Sequence, residues 1–321
     1  MGSMDIREQI LFGVDDSETA RQAVVTAGAL LKDREGFGIT LFYGAPDPHI
    51  SSLTKLFRLT PAAVEEYRKV LSLQEHRVLE RAREALVGSG FEVNRVTIRG
   101  EGKCHDPAET MLRLAAADDS ETIALARSST PRLERMLMGS VTYRLVHLAD
   151  EKAIWVIDPP IASHDVLVAL VGAPISRRVM EHTIQYFSHL KESKFTFFHV
   201  VPPLPPQYWD NTRILSKQER NEREMQIAQW TKECADKVRE IAAEGKDRLI
   251  QAGVRRENVA YKTQAVERGM ARDILAELAE SKYGILVVGR KGSRETSSFR
   301  LGSKANKLLN NARQCMICLV N

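Results

Sequence analysis

Short, nearly continuous runs of apolar residues alternate along the chain with longer stretches whose apolar residues recur at helical spacing. The runs of the first half lie at 10–14, 39–43, about 93–98, 122–126 and 153–157, and those of the second half at 166–170, 195–200, about 259–263, 284–288 and 316–320. Continuous apolar runs are typical of strands buried on both faces of a parallel sheet, and strand–helix alternation indicates βαβ units. Each half is therefore predicted to be a five-stranded, doubly wound α/β domain.

Two of the intervening stretches predict long amphipathic helices. Residues 217–251 contain eight acidic and eight basic residues. Their apolar positions recur at helical spacing at Ile227, Trp230, Cys234, Val238, Ile241 and Leu249. Such a helix packs one face and exposes the other to solvent, although the charged face could also bind a partner. In the first half, Thr60 and Pro61 are typical of a helix cap and first turn.

The second half of the chain repeats the first. The matching segments are 10–14 with 166–170, 39–43 with 195–199, both at an offset of 156 residues, and 138–140 with 301–303, at an offset of 163. Two prolines, Pro159 and Pro160, lie between the copies, and such a pair is not expected inside a central strand. We therefore expect two domains in tandem, at residues 4–158 and 163–321.

The composition is that of an ordinary globular protein. Of 321 residues, 43% are hydrophobic and 27% are charged, which excludes a disordered or fibrous chain. The formal net charge of +4 is too small to predict nucleic-acid binding. Four cysteines are too few for a disulfide scaffold, which favours a reducing compartment. The apolar runs are far shorter than the roughly 20 residues of a membrane span, so we expect a cytoplasmic protein without a membrane partner.

The strongest functional signal follows the run at 284–288. It reads Gly289-Arg290-Lys291-Gly292, then nine residues, then Gly302-Ser303 at the start of a predicted helix. Glycines let backbone N–H groups approach an anion without a Cβ in the way, and a helix N-terminus adds unpaired N–H groups. Basic residues also outnumber acidic ones here, with Arg290, Lys291, Arg294 and Arg300 against Glu295. The segment therefore predicts a polyphosphate site at the carboxyl ends of the strands.

This loop differs from two common phosphate-binding motifs, because the chain contains no GxxxxGK[ST] sequence and the loop is not a GxGxxG. Its Gly-x2-Gly-x9-Gly-Ser pattern resembles the nucleotide loop of the universal stress protein family. Further segments resemble the same family, namely Val14-Asp15-Asp16-Ser17 after the first strand, Phe198-His199-Val200-Val201-Pro202 in a second strand, and 310–315 before the last strand. The resemblance covers nearly the whole chain in two copies, so the chain is identified as a tandem member.

The resemblance implies a bound adenine nucleotide, ATP or a related one, with or without Mg²⁺. In the family, an aspartate after the first strand contacts the adenine side, a valine of the second strand flanks it, and the glycine loop holds the ribose and phosphates. In the second domain the corresponding residues are Leu170, Val171, Val200, Val288, Gly289, Arg290, Gly292, Gly302, Ser303 and Lys304. In the first domain they are Asp15, Ser17, Gly139 and Ser140.

Neither half keeps the whole family pattern. The first half has Ala126 and Ser129 where glycines are expected, and Pro131 inside the loop removes a backbone donor. The second half keeps the glycines but has Val171 in place of the aspartate. We therefore expect nucleotide binding in the second domain, with a relaxed preference for the base, and leave open whether the first domain binds anything.

The resemblance implies a stress-response or signalling protein whose ligand tunes its interactions, rather than an enzyme. It also implies that the domains pair internally through their last strands, 154–157 and 317–320, and it leaves association of two chains open. Two alternatives remain. One is a scaffold without a ligand whose sites have decayed, and the other is a slow ATP-using enzyme.

Three other candidates carry weaker signals. Cys315 and Cys318 form a CxxC, but on a strand they point to opposite faces, which favours a structural role. The cluster Cys104-His105-Asp106 could hold a metal only with further ligands. His199 ends a predicted strand near the expected pocket, where a structural role and a contact with the ligand are both open.

Overall fold

The computed structural model describes residues 8–46, 60–127, 140–149, 151–202, 216–290 and 301–321. By its internal contacts the chain divides into two compact units. The first comprises Met1–Ile161 with Gln314–Met316, and the second comprises Ala162–Arg313 with Ile317–Asn321.

The first unit carries a five-stranded sheet with helices between its strands. Its strands are β1 (Glu8–Gly13), β2 (Phe37–Pro46), β3 (Val96–Cys104), β4 (Thr122–Ala126) and β5 (Ala153–Ile157). Its helices are α1 (Glu18–Leu31), α2 (Pro61–Gly88), α3 (Pro107–Ala117) and α4 (Ser140–Leu148). The strand order is β3-β2-β1-β4-β5, and the neighbouring strands run parallel.

The second unit repeats this arrangement. Its strands are β6 (Val166–Leu170), β7 (Phe195–Val201), β8 (Val259–Ala265), β9 (Ile285–Gly289) and β10 (Met316–Val320). Its helices are α5 (Ala173–Phe187), α6 (Lys217–Gln251), α7 (Met270–Glu280) and α8 (Ser303–Asn311). The order is β8-β7-β6-β9-β10, with β6 parallel to β7 and β9, and β7 parallel to β8. The predicted α/β fold with a parallel sheet in each half is confirmed.

The continuous apolar runs form strands because both of their faces are covered. Every residue of β5, β6, β9 and β10 is buried, and Trp155 is among the largest fully buried side chains. The predicted cap at Thr60 also forms, and the structure adds a second one at Ser216. The Thr60 side chain accepts a hydrogen bond from Ala63 N at the start of α2. Ser216 and Glu219 form a reciprocal capping box at the start of α6, which fixes where that helix begins.

One strand prediction is wrong in its position. The run at 93–98 was expected to be a strand, but Val93–Arg95 forms a 3₁₀ turn and β3 begins at Val96. The turn carries Arg95, whose side chain is 2% exposed and donates to the carbonyl oxygens of Lys32 and Arg34 at 2.5 Å each. It also lies over the Phe91 ring, 4.4 Å from the centroid. The second unit has the same 3₁₀ turn, Arg256–Asn258, directly before β8.

No helix in the described part of the chain is long and apolar enough to cross a membrane.

Candidate functional site

The connection from β1 to α1 is held by its own polar side chains. Val14 N donates to Phe42 O at 2.8 Å, which extends the sheet by one residue. The Asp15 carboxylate then accepts hydrogen bonds from Ser17 N at 2.9 Å and from Ser17 Oγ. Ser17 caps α1 by accepting from Ala20 N at 3.1 Å. Asp15 and Ser17, both predicted site residues, therefore form one rigid turn at the carboxyl end of β1.

A cavity of about 240 Å³ lies beside this turn. It is lined by residues from β1 and β4 and from the first turns of α1 and α4, together with Met111 of α3: Gly13, Asp15, Ser17, Ala20, Met111, Leu125, Ala126, Arg127, Ser140, Val141 and Thr142. The strand order reverses between β1 and β4, and open α/β sheets bind ligands at such a point. The structure thus brings Asp15, Ser17 and Ser140 together, as the sequence predicted, whereas Gly139 lies outside the described residues.

Arg127 also lines this cavity and was not predicted as a site residue. It directly follows β4 and is 7% exposed. Its backbone N donates to Ile157 O at 2.7 Å, and its Nε lies 3.3 Å from Asp158 Oδ2. The repeat could have revealed it, because Arg290 stands at the equivalent place 163 residues later. Arg290 is also buried and its backbone N donates to Val320 O at 2.6 Å.

A larger cleft of about 460 Å³ lies on the other side of the same turn. Its lining includes Asp15, Ser17 and Ala20, which also line the smaller cavity, together with Val78, Ala82 and other residues of α2. Arg81 closes its rim with an ion pair to Asp16 at 3.2 Å. Burial raises the pKa of the nearby Tyr43 hydroxyl, and the carboxylates of Asp16 and Asp15 raise it further. The carboxylates of this turn thus disfavour the ionised form of the Tyr43 hydroxyl.

The matching turn of the second unit has lost its carboxylate. Val171 follows β6, and its backbone N and that of Gly172 both donate to Ser176 Oγ at 3.2 Å. Ser176 is fully buried, so a single hydroxyl holds the turn that Asp15 and Ser17 hold in the first unit. Helix α5 begins at Ala173, directly after this turn.

The structure describes the two ends of the glycine loop of the second unit, up to Arg290 and from Leu301 onward. Gly289 ends β9, and a Cβ there would lie 2.3 Å from Ile175 Cγ1. Gly302 N donates to Arg290 O at 2.9 Å, so its N–H is used within the protein. Ser303 and Lys304, both exposed, begin α8. Gly292 lies in the segment 291–300, outside the described residues.

The remaining predicted site residues of the second unit belong to strands. Leu170, Val200 and Val288 are at most 2% exposed, so their side chains are part of the core. Beside Val200, His199 is 1% exposed, and burial lowers the pKa of its imidazole to about 4. Its Nδ1 has no hydrogen-bond partner among the residues that the structure describes.

The cysteines of the two weaker candidates are buried, and Asp106 caps a helix. Cys315 and Cys318 are fully buried. Asp106 caps α3 by accepting from Ala108 N and Glu109 N, and Cys104 is buried with its Sγ 3.5 Å from Thr110 Oγ1. Within the described ranges, no group of three or more His, Cys, Asp or Glu side chains is placed to hold a metal ion.

Comparison with known proteins gives matches over both halves. Residues 7–154 and 163–319 each match the model of the universal stress protein family. A universal stress protein from Archaeoglobus fulgidus superposes with a TM-score of 0.62 at 13% identity, over 98% of each chain. A functionally unknown protein from Pseudomonas aeruginosa superposes with a TM-score of 0.57 at 12% identity, over 98% of this chain and 92% of the other. At these identities the structural matches show the fold alone. A search of curated protein sequences found no match.

Proposed function

The chain belongs to the universal stress protein family, in two successive copies, and from this premise we propose that it binds an adenine nucleotide in its second domain. The nucleotide acts as a regulatory ligand that tunes interactions of the protein and is not turned over rapidly. ATP is the proposed ligand, with or without Mg²⁺. The two copies are taken as domains at residues 4–158 and 163–321.

The observation that carries this proposal is the start of α8. The bond from Gly302 N to Arg290 O sets the first turn of α8 directly beside the end of β9. The first-turn amides of a helix have no acceptor within the helix, and Gly302 at the N-cap supplies no side-chain oxygen to them. The exposed hydroxyl of Ser303 and ammonium of Lys304 lie at the same place. Together these groups suit a phosphate.

The rest of the nucleotide is proposed to lie along the carboxyl ends of β6, β7 and β9. Leu170, Val200 and Val288 lie at or next to the strand ends and their side chains are buried in the core, so their proposed contribution is backbone groups rather than charge. Val171 presents a half-buried apolar side chain where the first domain has Asp15. Apolar contacts with a few polar anchors are typical of small-molecule sites.

Several further properties belong to the same proposal. The protein acts in the cytoplasm in a stress or signalling response, without membrane or nucleic-acid partners. Its two domains pair through their last strands, 154–157 and 317–320, and this pairing stays a prediction, as does any association of two chains. The first domain binds nucleotide more weakly, through Asp15, Ser17, Gly139 and Ser140.

A scaffold without a ligand is the second candidate, and one observation favours it. Gly289 is required by the close approach of Ile175, so it has a packing reason that needs no nucleotide. The Gly302 N–H donates to Arg290 O and is therefore not available to a phosphate. The scaffold candidate predicts that no nucleotide binds at millimolar concentration.

The test is titration of ATP into the full chain, with prior removal and identification of any co-purified small molecule. We expect one ATP per chain. Gly302→Val should abolish binding, because a branched side chain at the N-cap crowds the first-turn amides that are proposed to hold the phosphate. The backbone φ of Gly302 is −66°, a value that valine adopts, and thermal unfolding of the variant checks that it folds. Gly88→Val is a matched control, since a Cβ at Gly88 meets nothing within 4 Å. Unchanged affinity in Gly302→Val would refute the site.

A further inference from the structure

The cleft of about 460 Å³ in the first unit is a groove between two helices. Every described residue that lines it belongs to the turn after β1, to α1 or to α2. It shares the turn after β1 with the smaller cavity, but no described residue of β2, β4 or α4 lines it. The groove therefore opens between the helices and not at the carboxyl ends of the strands, where nucleotide binding is proposed.

The two helices pack closely at one end and leave the groove at the other. Toward the end of α1, a Cβ at Gly28 would lie 2.7 Å from Leu86 Cδ1, so the glycine permits a close approach of the two helices there. Near the start of α1, small buried side chains form the floor of the groove, those of Ala20, Val78 and Ala82. The groove is thus produced by the packing of the helices, and its floor is apolar.

The rim of the groove carries more negative than positive charge. It holds four carboxylates and two guanidinium groups, on Asp15, Asp16, Glu18, Glu84, Arg21 and Arg81. Arg81 pairs with Asp16 at 3.2 Å, and Arg21 pairs with the adjacent Glu18. Among the residues that the structure describes, neither Asp15 nor Glu84 forms an ion pair with a basic side chain. Two negative charges at the rim are therefore not compensated by these residues.

The second unit shows that this excess charge is not a general feature of the fold. At the offset of 156 residues, the three carboxylates around the β1–α1 turn correspond to Val171, Gly172 and Pro174. At the offset of 163 residues, which aligns β3 with β8, Arg81 corresponds to Glu244, whose carboxylate pairs with an arginine of α5 at 2.7 Å. Over all the positions that line the groove, the second unit has two acidic and two basic residues. The negative rim belongs to the first unit alone.

We propose that this groove binds a linear aliphatic polyamine, with the methylene chain on the apolar floor and ammonium groups at Asp15 and Glu84. The ammonium groups are attracted to the uncompensated carboxylates, and the methylene groups leave water for an apolar surface. The exposed ion pair of Arg81 with Asp16 contributes little stability, so the rim opens at small cost.

The size of the groove favours a free small molecule over a lysine side chain of another protein. Its volume of about 460 Å³ lies in the range of roughly 300–1,000 Å³ that is typical of small-molecule pockets. Walls formed by two helices leave little room for a second polypeptide backbone. The groove is also separate from the nucleotide site proposed in the second domain, so the result of an ATP titration there has no bearing on it.

The test is a titration of spermidine into the full chain, followed by NMR. Nucleotide is left out, because polyamines also pair with the phosphates of ATP in solution. We expect shifts of the backbone amides at 15–21 and 78–85 and of the methyl groups of Val78 and Ala82. Mg²⁺ has the charge without the methylene chain and should not shift these methyl groups, and 1,4-butanediol has the chain without the charge and should not bind. The absence of shifts in both segments at millimolar spermidine would refute the proposal, as would equal methyl shifts with Mg²⁺.

A matched pair of variants assigns the site to the first unit. Glu84→Gln removes one uncompensated charge, and the dissociation constant for spermidine should rise about two- to fivefold, as expected for the loss of one exposed ion pair. Asp247→Asn is the control, since Asp247 is the exposed equivalent of Glu84 in the second unit, and it should leave the affinity unchanged. Equal affinities of the two variants would show that spermidine binds elsewhere.

The same ammonium chemistry could come from a lysine-rich partner, and one further titration separates the two sources. A trilysine peptide with blocked ends has the same charge as spermidine on a much bulkier backbone. Spermidine should bind more tightly, because only its chain lies along the groove floor. Tighter binding of the peptide would overturn the assignment to a free polyamine.

Discussion

The backbone amide of Gly302 donates a hydrogen bond to the carbonyl oxygen of Arg290 at 2.9 Å. Arg290 is in turn tied to the last strand, because its own amide donates to Val320 O at 2.6 Å. The start of α8 is therefore fixed relative to β9 and β10 without any ligand. A site whose polar groups are held in place before binding loses less conformational entropy when the ligand arrives.

This arrangement predicts which amides of the loop respond to ATP. The Gly302 N–H should exchange slowly with solvent in the absence of nucleotide, since it is already hydrogen-bonded. The amides of Ser303 and Lys304 lie in the first turn of α8 and should exchange faster. Addition of ATP should slow exchange at Ser303 and Lys304 and leave Gly302 unchanged. Hydrogen exchange followed by NMR checks this, and protection that appears at Gly302 alone would contradict the proposed phosphate position.

Gly289 should tolerate no side chain. A Cβ would lie 2.3 Å from Ile175 Cγ1, and overpacking of this kind usually costs about 1–3 kcal/mol. We expect Gly289→Ala to lower the free energy of unfolding by that amount, measured by urea denaturation. The double variant Gly289→Ala with Ile175→Ala should be more stable than the sum of the single effects predicts, because the second change removes the clash. If the effects of the two substitutions on the free energy of unfolding simply add, the side chains at positions 289 and 175 do not interact.

Stability should fall on mild acidification because of two buried histidines. Burial lowers the pKa of His182 to about 3 and that of His199 to about 4, whereas both titrate near 6.5 when unfolded. Below pH 6.5 the unfolded chain thus binds more protons than the folded chain does. The stability contributed by the neutral rings is fully present above that pH and is lost as the pH falls toward 4. Between pH 7.5 and 5.5 the two together should remove about 2–3 kcal/mol.

Urea denaturation at several pH values above 5 measures this slope, in a range where few carboxylates titrate. The variant with both His182→Asn and His199→Asn is the control, and its stability should vary much less over the same range. An unchanged slope in that variant would show that other groups cause the acid sensitivity.

The sequence predicted the strands that are buried on both faces almost to the residue. The runs at 122–126, 153–157, 166–170 and 316–320 coincide with β4, β5, β6 and β10, because an unbroken apolar run has few other ways to be buried. The prediction failed at 93–98, where Arg95 turns back to the carbonyls of Lys32 and Arg34. Such a distant contact leaves no trace in local periodicity.

The site was predicted less completely than the fold. The turn at Asp15 and Ser17 and the start of α8 at Ser303 follow from short segments whose geometry is local. The burial of Arg127 and the unsatisfied nitrogen of His199 depend on neighbours far away in the chain. The internal repeat was the available signal for both, since it aligns Arg127 with Arg290 and Tyr43 with His199.

Restoring the lost carboxylate gives the most direct check of where His199 faces. Val171→Asp places an acid at the position that Asp15 occupies in the first unit. A nearby carboxylate favours the protonated imidazole, so the pKa of His199 should rise well above its native value of about 4. An NMR titration of the labelled imidazole measures the shift. Val171→Asn has the same shape without the charge and should leave the pKa near its native value. An equal pKa in the two variants would show that a charge at position 171 does not reach His199.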